Sequence, residues 1–240
     1  MSDDLAGASS AQNPLHAPTR FGRDSVEFAR TASFFDATFS IAATLLVVTL
    51  SSETIDWSDW TKFLEAEWPS LLAFAISFVV ICAFWWANHR LVATLDAMTG
   101  RFVAAGLLLL GFVVLLPFTT GGLGDVDSRT SGEVAAVGYA LNVAMVSLAS
   151  MLLLVVAARE GLYRRAPTAA QLRGKLIGLV DTPVVFLLSI PVTLVFGPAW
   201  GRYSWMLVAV TGGIFGRLGH RVAGDLEPTG RNDSGTTDRA

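Results

Sequence analysis

The chain has 240 residues, 52% of them hydrophobic and only 15% charged, with a formal net charge of −3 and a mean hydropathy of +0.54. That balance is too apolar for a soluble domain of this length and is the composition of an integral membrane protein. Arginine outnumbers lysine, but a chain of net negative charge carries no nucleic-acid signature, and no nucleic-acid partner is expected.

A bilayer core of about 30 Å takes roughly 20 mainly apolar residues per helix. Windows of that kind fall at 31–50, 69–88, 102–120, 133–157, 174–196 and 203–222. Their long, continuous apolar character excludes a membrane β-barrel, whose segments are short and alternate in polarity. The expected fold is all-α, a polytopic bundle of six transmembrane helices over residues 29–222.

In chain order, residues 1–28 open with "MSDDLAGASSAQNPLHAP", polar and without the basic start and apolar core of a secretory signal, and read as a disordered tail. The first span then carries two charges, Arg30 and Asp36, at its start. On a helical wheel Arg30, Phe34, Ile41, Leu45 and Val48 share one stripe, while Asp36 points about 140° away from Ile41. Ser33, Asp36, Ser40 and Thr44 make a second stripe bordering the first. From the residues alone, the aliphatic stripe reads first as a plain lipid or core face, and a functional face is the less favoured reading.

The loop "SSETIDWSDWTKFLEAEWPS" has Trp57, Trp60, Leu64 and Trp68 at helical spacing, which predicts a short interfacial helix with its tryptophans at headgroup depth. The second span contains the single cysteine, Cys82, a small buried hydrophobe by expectation, and ends in "FWWANHR". Because the first two spans run antiparallel, Trp85, Trp86, Asn88, His89 and Arg90 come level with Asp36, and a structural pairing with His89 or Arg90 is favoured over a proton relay. A second acidic loop follows, with Asp125, Asp127 and Glu133. The last window contains Gly212, Gly216 and Gly219, read as close helix packing, and residues 223–240 form a second polar tail.

Flanking cations divide unevenly. Arg20, Arg23, Arg30, Arg90, Arg101, Arg159, Arg164, Arg165, Arg173, Lys175, Arg217 and Arg221 fall on one side, and Lys62, Arg129 and Arg202 on the other. The side rich in arginine is the expected cytoplasmic one, and both termini lie there. The histidines His16, His89 and His220 stand in no metal or nucleophile spacing, and no phosphate-binding glycine loop is present. No catalytic residue, metal or cofactor is expected, and an enzyme is the less favoured class.

The pattern Arg30-x-x-x-Phe34-Phe35-Asp36, followed by "ATFSIAATLLVV", resembles the R-x-x-x-F-S-D signature of the transmembrane protein 175 family, potassium channels of bacteria and of endosomes and lysosomes. The resemblance continues in "SFVVICAFWWANHRL" and in "LLPF" at Leu115 to Phe118, and beyond mid-chain it is one of hydropathy. It implies a homotetrameric, leak-type potassium channel in a bacterial inner or plasma membrane, with potassium as the permeating ion. The first helices line the pore, Ile41, Leu45 and Val48 form hydrophobic rings, and Thr44 and Ser40 bear on selectivity.

Arg30, Phe34, Asp36, Trp86 and His89 are implied as a structural network bracing the pore helix. Two departures from the pattern stand out: Phe35 replaces the motif serine, and "VAAGLLLL" stands where the third span should hold an asparagine. The competing reading is a secondary transporter or proton-coupled carrier in which Asp36 and His89 titrate.

Overall fold

The computed structural model describes residues 20–50, 60–124 and 129–207. Among these, five helices are long and apolar enough to cross a membrane: Val26–Leu50, Glu67–Ala93, Gly100–Leu123, Thr130–Arg159 and Ala169–Phe196. They match the first five windows. Most of the sixth, with Gly212, Gly216, Gly219 and His220, lies outside the described residues, as do both distal tails and the acidic residues Glu53, Asp56, Asp59, Asp125 and Asp127.

The elements are β1 (Arg20–Gly22), α1 (Val26–Leu45) continued by a 3-10 turn over Leu46–Leu50, α2 (Trp60–Ala93), β2 (Ala97–Thr99), α3 (Gly100–Val114), α4 (Leu116–Gly124), α5 (Arg129–Arg159), α6 (Ala169–Phe196) and α7 (Pro198–Ser204). Central α5 packs against α3, α4 and α6, while α1 rests on α2 and α3.

Three boundaries differ from the sequence expectation. The tail placed at 1–28 yields to ordered chain at Arg20, because β1 pairs antiparallel with β2, Phe21 opposite Met98. The expected separate interfacial helix is instead the start of α2. Pro69 sits inside that helix, and with no turn residue between Trp60 and Trp68 the chain has no reason to stop before it.

The third span breaks at Leu115 into α3 and α4. Pro117 cannot donate a backbone hydrogen bond and its ring crowds the carbonyl four residues back. Asn142 of α5 repairs the gap: with its amide nitrogen toward Phe112 O (3.1 Å), its oxygen accepts from Leu116 N–H (3.2 Å) and from the Thr119 hydroxyl (3.3 Å). Freed backbone groups in a spanning helix are tolerated where a neighbouring side chain satisfies them in this way. Close by, Thr120 Oγ1 lies 2.8 Å from Ser77 Oγ, which meets Tyr139 Oη at 3.0 Å, so α2, α4 and α5 share a buried chain of hydroxyls.

The helix starts and ends at the arginine-rich end are tied by hydrogen bonds. Ser25 caps α1 by accepting from Phe28 N–H, and Thr99 caps α3 by accepting from Phe102 N–H. The Thr99 hydroxyl also donates to the Glu160 carboxylate at the end of α5. That helix stops in a glycine-terminated turn: Gly161 has φ +61°, and Leu162 N–H returns to Ala157 O and Gly161 N–H to Ala158 O.

From there Asp96 N–H donates to Leu162 O (2.8 Å) and Arg164 N–H to Thr94 O (3.1 Å). The α2–α3 connection is thus held between β1 on one side and the segment after α5 on the other. Arg23 spans the same joint, donating to the carbonyls of Ala93 (3.2 Å) and Leu95 (2.9 Å). Arg23→Ala leaves both carbonyls without that donor and should lower stability by about 1–2 kcal/mol, read as a drop in thermal unfolding temperature of the purified protein in detergent.

Candidate functional site

Helix α1 is two-faced. Phe28, Phe35, Phe39, Ala42 and then Leu46 recur at helical spacing and are buried against the bundle. The opposite face carries Ile41 at 58%, Leu45 at 44% and Val48 at 60% exposure, together with exposed Arg30, Phe34, Ser40 and Thr44. The aliphatic stripe seen on the wheel is therefore not used to pack this chain's own core.

Phe35, the departure from the family pattern, is 1% exposed. Its ring enters the space where a side chain at Gly106 of α3 would be. A Cβ there would overlap Phe35 Cζ and stand 2.8 Å from Cε2, and Phe102 closes the pocket at 6.5 Å between ring centroids. The two departing segments meet at this contact. Gly106 lies in the "VAAGLLLL" segment that lacks the expected asparagine, and the Phe35 ring occupies the space that a side chain at Gly106 would take.

Asp36 sits at the flank of the packed face, half-buried. Its Oδ1 accepts a 2.9 Å hydrogen bond from Trp85 Nε1 of α2. His89 lies one turn on, 5.5 Å from the Trp85 ring and stacked at 6.0 Å on Trp86. The structure thus brings Asp36, Trp85, Trp86 and His89 to one junction, with the indole as the carboxylate's partner rather than the histidine or Arg90. Arg30 instead faces a groove of about 420 Å³ with Glu27 and residues of α3, and Phe34 points outward.

Ser40 Oγ donates to Asp36 O at 2.9 Å and Thr44 Oγ1 to Ile41 O at 2.8 Å. With their protons committed to the backbone, these hydroxyls offer oxygen lone pairs to whatever passes the exposed face. Among the described residues no cluster of three or more His, Cys, Asp or Glu could hold a metal.

Sequence reasoning missed Asp181, buried at the middle of α6 with the Thr182 hydroxyl 3.3 Å from its Oδ1. A lone carboxylate in "LIGLVDTPVVF" was a readable signal, since an ionisable residue deep in a span needs a partner or a role. Asn142 was missed too, and Pro117 was its signal.

This geometry can be set beside known proteins. A family model described as endosomal/lysosomal potassium channel TMEM175 matches residues 30–117. A potassium channel of Streptomyces collinus is 32% identical over 123 residues, 50% of this chain and 59% of the relative. One of Chamaesiphon minutus is 32% identical over 117 residues, 48% of this chain and 58% of the relative. The matched chain thus spans less than two thirds of either relative.

The fold is shared over a longer stretch. A crystal structure of a lysosomal potassium-selective channel TMEM175 homolog from Chamaesiphon minutus superposes with a TM-score of 0.59 at 24% identity, covering 83% of this chain and 97% of that one. The potassium channel MtTMEM175, solved with a nanobody fusion, gives 0.54 at 18% identity, covering 88% and 95%.

Two outcomes follow from the junction. Gly106→Ala should cost about 1–3 kcal/mol through overpacking, and Phe35→Leu in the same chain should relieve part of it, so that the double variant in a thermal unfolding cycle loses less than the two single losses added. Trp85→Phe removes the donor held by Asp36 and should lower stability by about 1–3 kcal/mol, measured in the same assay.

Proposed function

We propose that the chain is a potassium-preferring, leak-type cation channel. It assembles as a homotetramer in a bacterial inner or plasma membrane, with both termini cytoplasmic and the α1 helices lining a central pore. The observation that carries this reading is the division of α1. One face is locked to α2 and α3 through Phe35, Phe39 and the Asp36–Trp85 bond, and the other leaves Ile41, Leu45 and Val48 exposed. A helix rotated by its own anchors so that an aliphatic stripe is left over is suited to meeting its symmetry copies around an axis. The names of the relatives, potassium channels in each case, support the choice of ion.

In this mechanism four Ile41 side chains form the narrowest ring, with Leu45 and Val48 as further rings one and two turns along. An ion crossing such a ring sheds most of its water, and potassium is dehydrated at lower cost than sodium, so it passes more readily. Ser40 and Thr44, flanking the ring, present lone pairs that partly replace the lost water. The same ring closes by dewetting. Asp36 does no ion coordination; it fixes the rotation of α1 through Trp85.

A carrier that titrates Asp36 and His89 makes different demands, since it needs proton exchange at Asp36, whose partner here is an indole. In liposomes holding the purified chain, Ile41→Asn should raise potassium flux severalfold and weaken its preference over sodium. Asp36→Asn, which keeps an acceptor for Trp85, should leave downhill flux independent of an imposed pH gradient. Unchanged flux and selectivity in Ile41→Asn would remove α1 from the pore, and loss of gradient-coupled uptake in Asp36→Asn would favour the carrier.

A further inference from the structure

Away from α1, at the arginine-rich end, a cleft of about 390 Å³ opens between the end of α2, the segment after α5 and the first turns of α6. Thr94, Tyr163, Arg164, Arg165, Gln171 and Lys175 line it, and no carboxylate is among the described lining residues. Its shape is set by the fold rather than by surface side chains alone. Leu95 and Tyr163 form a β-bridge, Arg164 N–H donates to Thr94 O, and Thr168 and Gln171 close a reciprocal capping box at the start of α6.

Two features of the residues that line the cleft call for a ligand. The Tyr163 hydroxyl is buried and has no hydrogen-bond partner among the described residues, an arrangement that is unfavourable when left unrelieved. Burial pushes this phenol up to about 12, so it keeps its proton and remains a donor. The Lys175 ammonium lies 5.8 Å over the Tyr163 ring. Three cations gathered without a counter-charge among the described residues, and an orphaned donor, fit one chemistry, a compact polyanion with several acceptor oxygens.

The geometry points to a binding site for a phosphomonoester held by Arg164, Arg165, Lys175 and the Tyr163 hydroxyl. A phosphomonoester carries close to two negative charges at neutral pH and three acceptor oxygens, which suits guanidinium forks and an ammonium. A carboxylate or phosphodiester brings one charge and leaves the cations under-compensated. The cleft sits where two membrane-crossing helices end and begin, at the depth of lipid headgroups, so an anionic lipid and a soluble phosphate ester share access to it. An occupant would clamp α6 to the joint that holds α2 and α3.

The test uses the full chain in detergent and reads bound ligand by native mass spectrometry. Phosphatidic acid, a phosphomonoester lipid, is compared with phosphatidylglycerol, a phosphodiester of similar size; glycerol 3-phosphate is the soluble arm. The natural chain should retain phosphatidic acid at least tenfold more than phosphatidylglycerol. Arg165→Gln with Lys175→Gln should abolish that preference, whereas Arg101→Gln, at the same end but outside the cleft, should not. Tyr163→Phe, which keeps the ring under Lys175, should weaken retention severalfold and stands in if the double variant fails to fold.

Binding of glycerol 3-phosphate with the same dependence on variants supports the site and assigns it to a soluble ligand. Equal retention of the two lipids, equal loss in Arg101→Gln, or no binding of either phosphomonoester overturns the proposal. The readout is independent of ion flux, so it stands or falls apart from the channel reading.

Discussion

A helix inside a bilayer gains little by burying apolar surface against its neighbours, because lipid tails are as apolar as they are; orientation has to come from contacts that lipid cannot supply. For α1 those contacts are a steric fit and a hydrogen bond. The Phe35 ring enters the space over Gly106, and Asp36, one residue on, takes the Trp85 indole proton. Adjacent residues on a helix point about 100° apart, so the two contacts hold α1 from two directions and fix its rotation. Everything said of the exposed stripe depends on that rotation. Turned by half a revolution, the same sequence would bury Ile41 and Leu45 and present Phe35 and Phe39.

Hydropathy made the spans legible, because twenty or more apolar residues in a row admit few other readings. The five described spans lie where the windows put them. What hydropathy could not show was how each span begins, breaks and turns. The strand Arg20–Gly22 is too short and too polar to leave a periodic trace, and it exists only because Ala97–Thr99 lies opposite. The start of α2 was obscured by its own acidic, tryptophan-rich sequence, which reads as an interfacial segment while being continuous helix. Pro117 announced a break in the third span, but the residue that repairs it, Asn142, is 25 positions away and is connected to it only by the fold.

The junction was legible in kind and not in pairing. Antiparallel spans put the end of α2 level with Asp36, and helix geometry alone could not choose among five polar or aromatic neighbours. Trp85 takes the bond because its ring nitrogen faces α1, while His89 is engaged with the two tryptophan rings. Phe35 looked like a loss of polarity when considered alone, and the missing asparagine looked like a second. Only three-dimensional proximity shows that a large residue on one helix and none on the other conserve the volume between them, which a close-packed interior requires.

The polar groups of the bundle are distributed by the same logic. Where helices must approach closely in an apolar medium, hydroxyls and amides satisfy one another across them, as Ser77, Thr120 and Tyr139 do between α2, α4 and α5. At the arginine-rich end, water and headgroups are at hand and polarity goes into ties between segments through Arg23, Thr99 and Gly161. Those ties join α1, α2, α3 and α5 into one frame. Helix α6 meets that frame mainly through α5, and the cations of the cleft, without a carboxylate partner among the described residues, lie on the opposite flank of the same joint. An anion bound there would tie α6 to the frame from a second side.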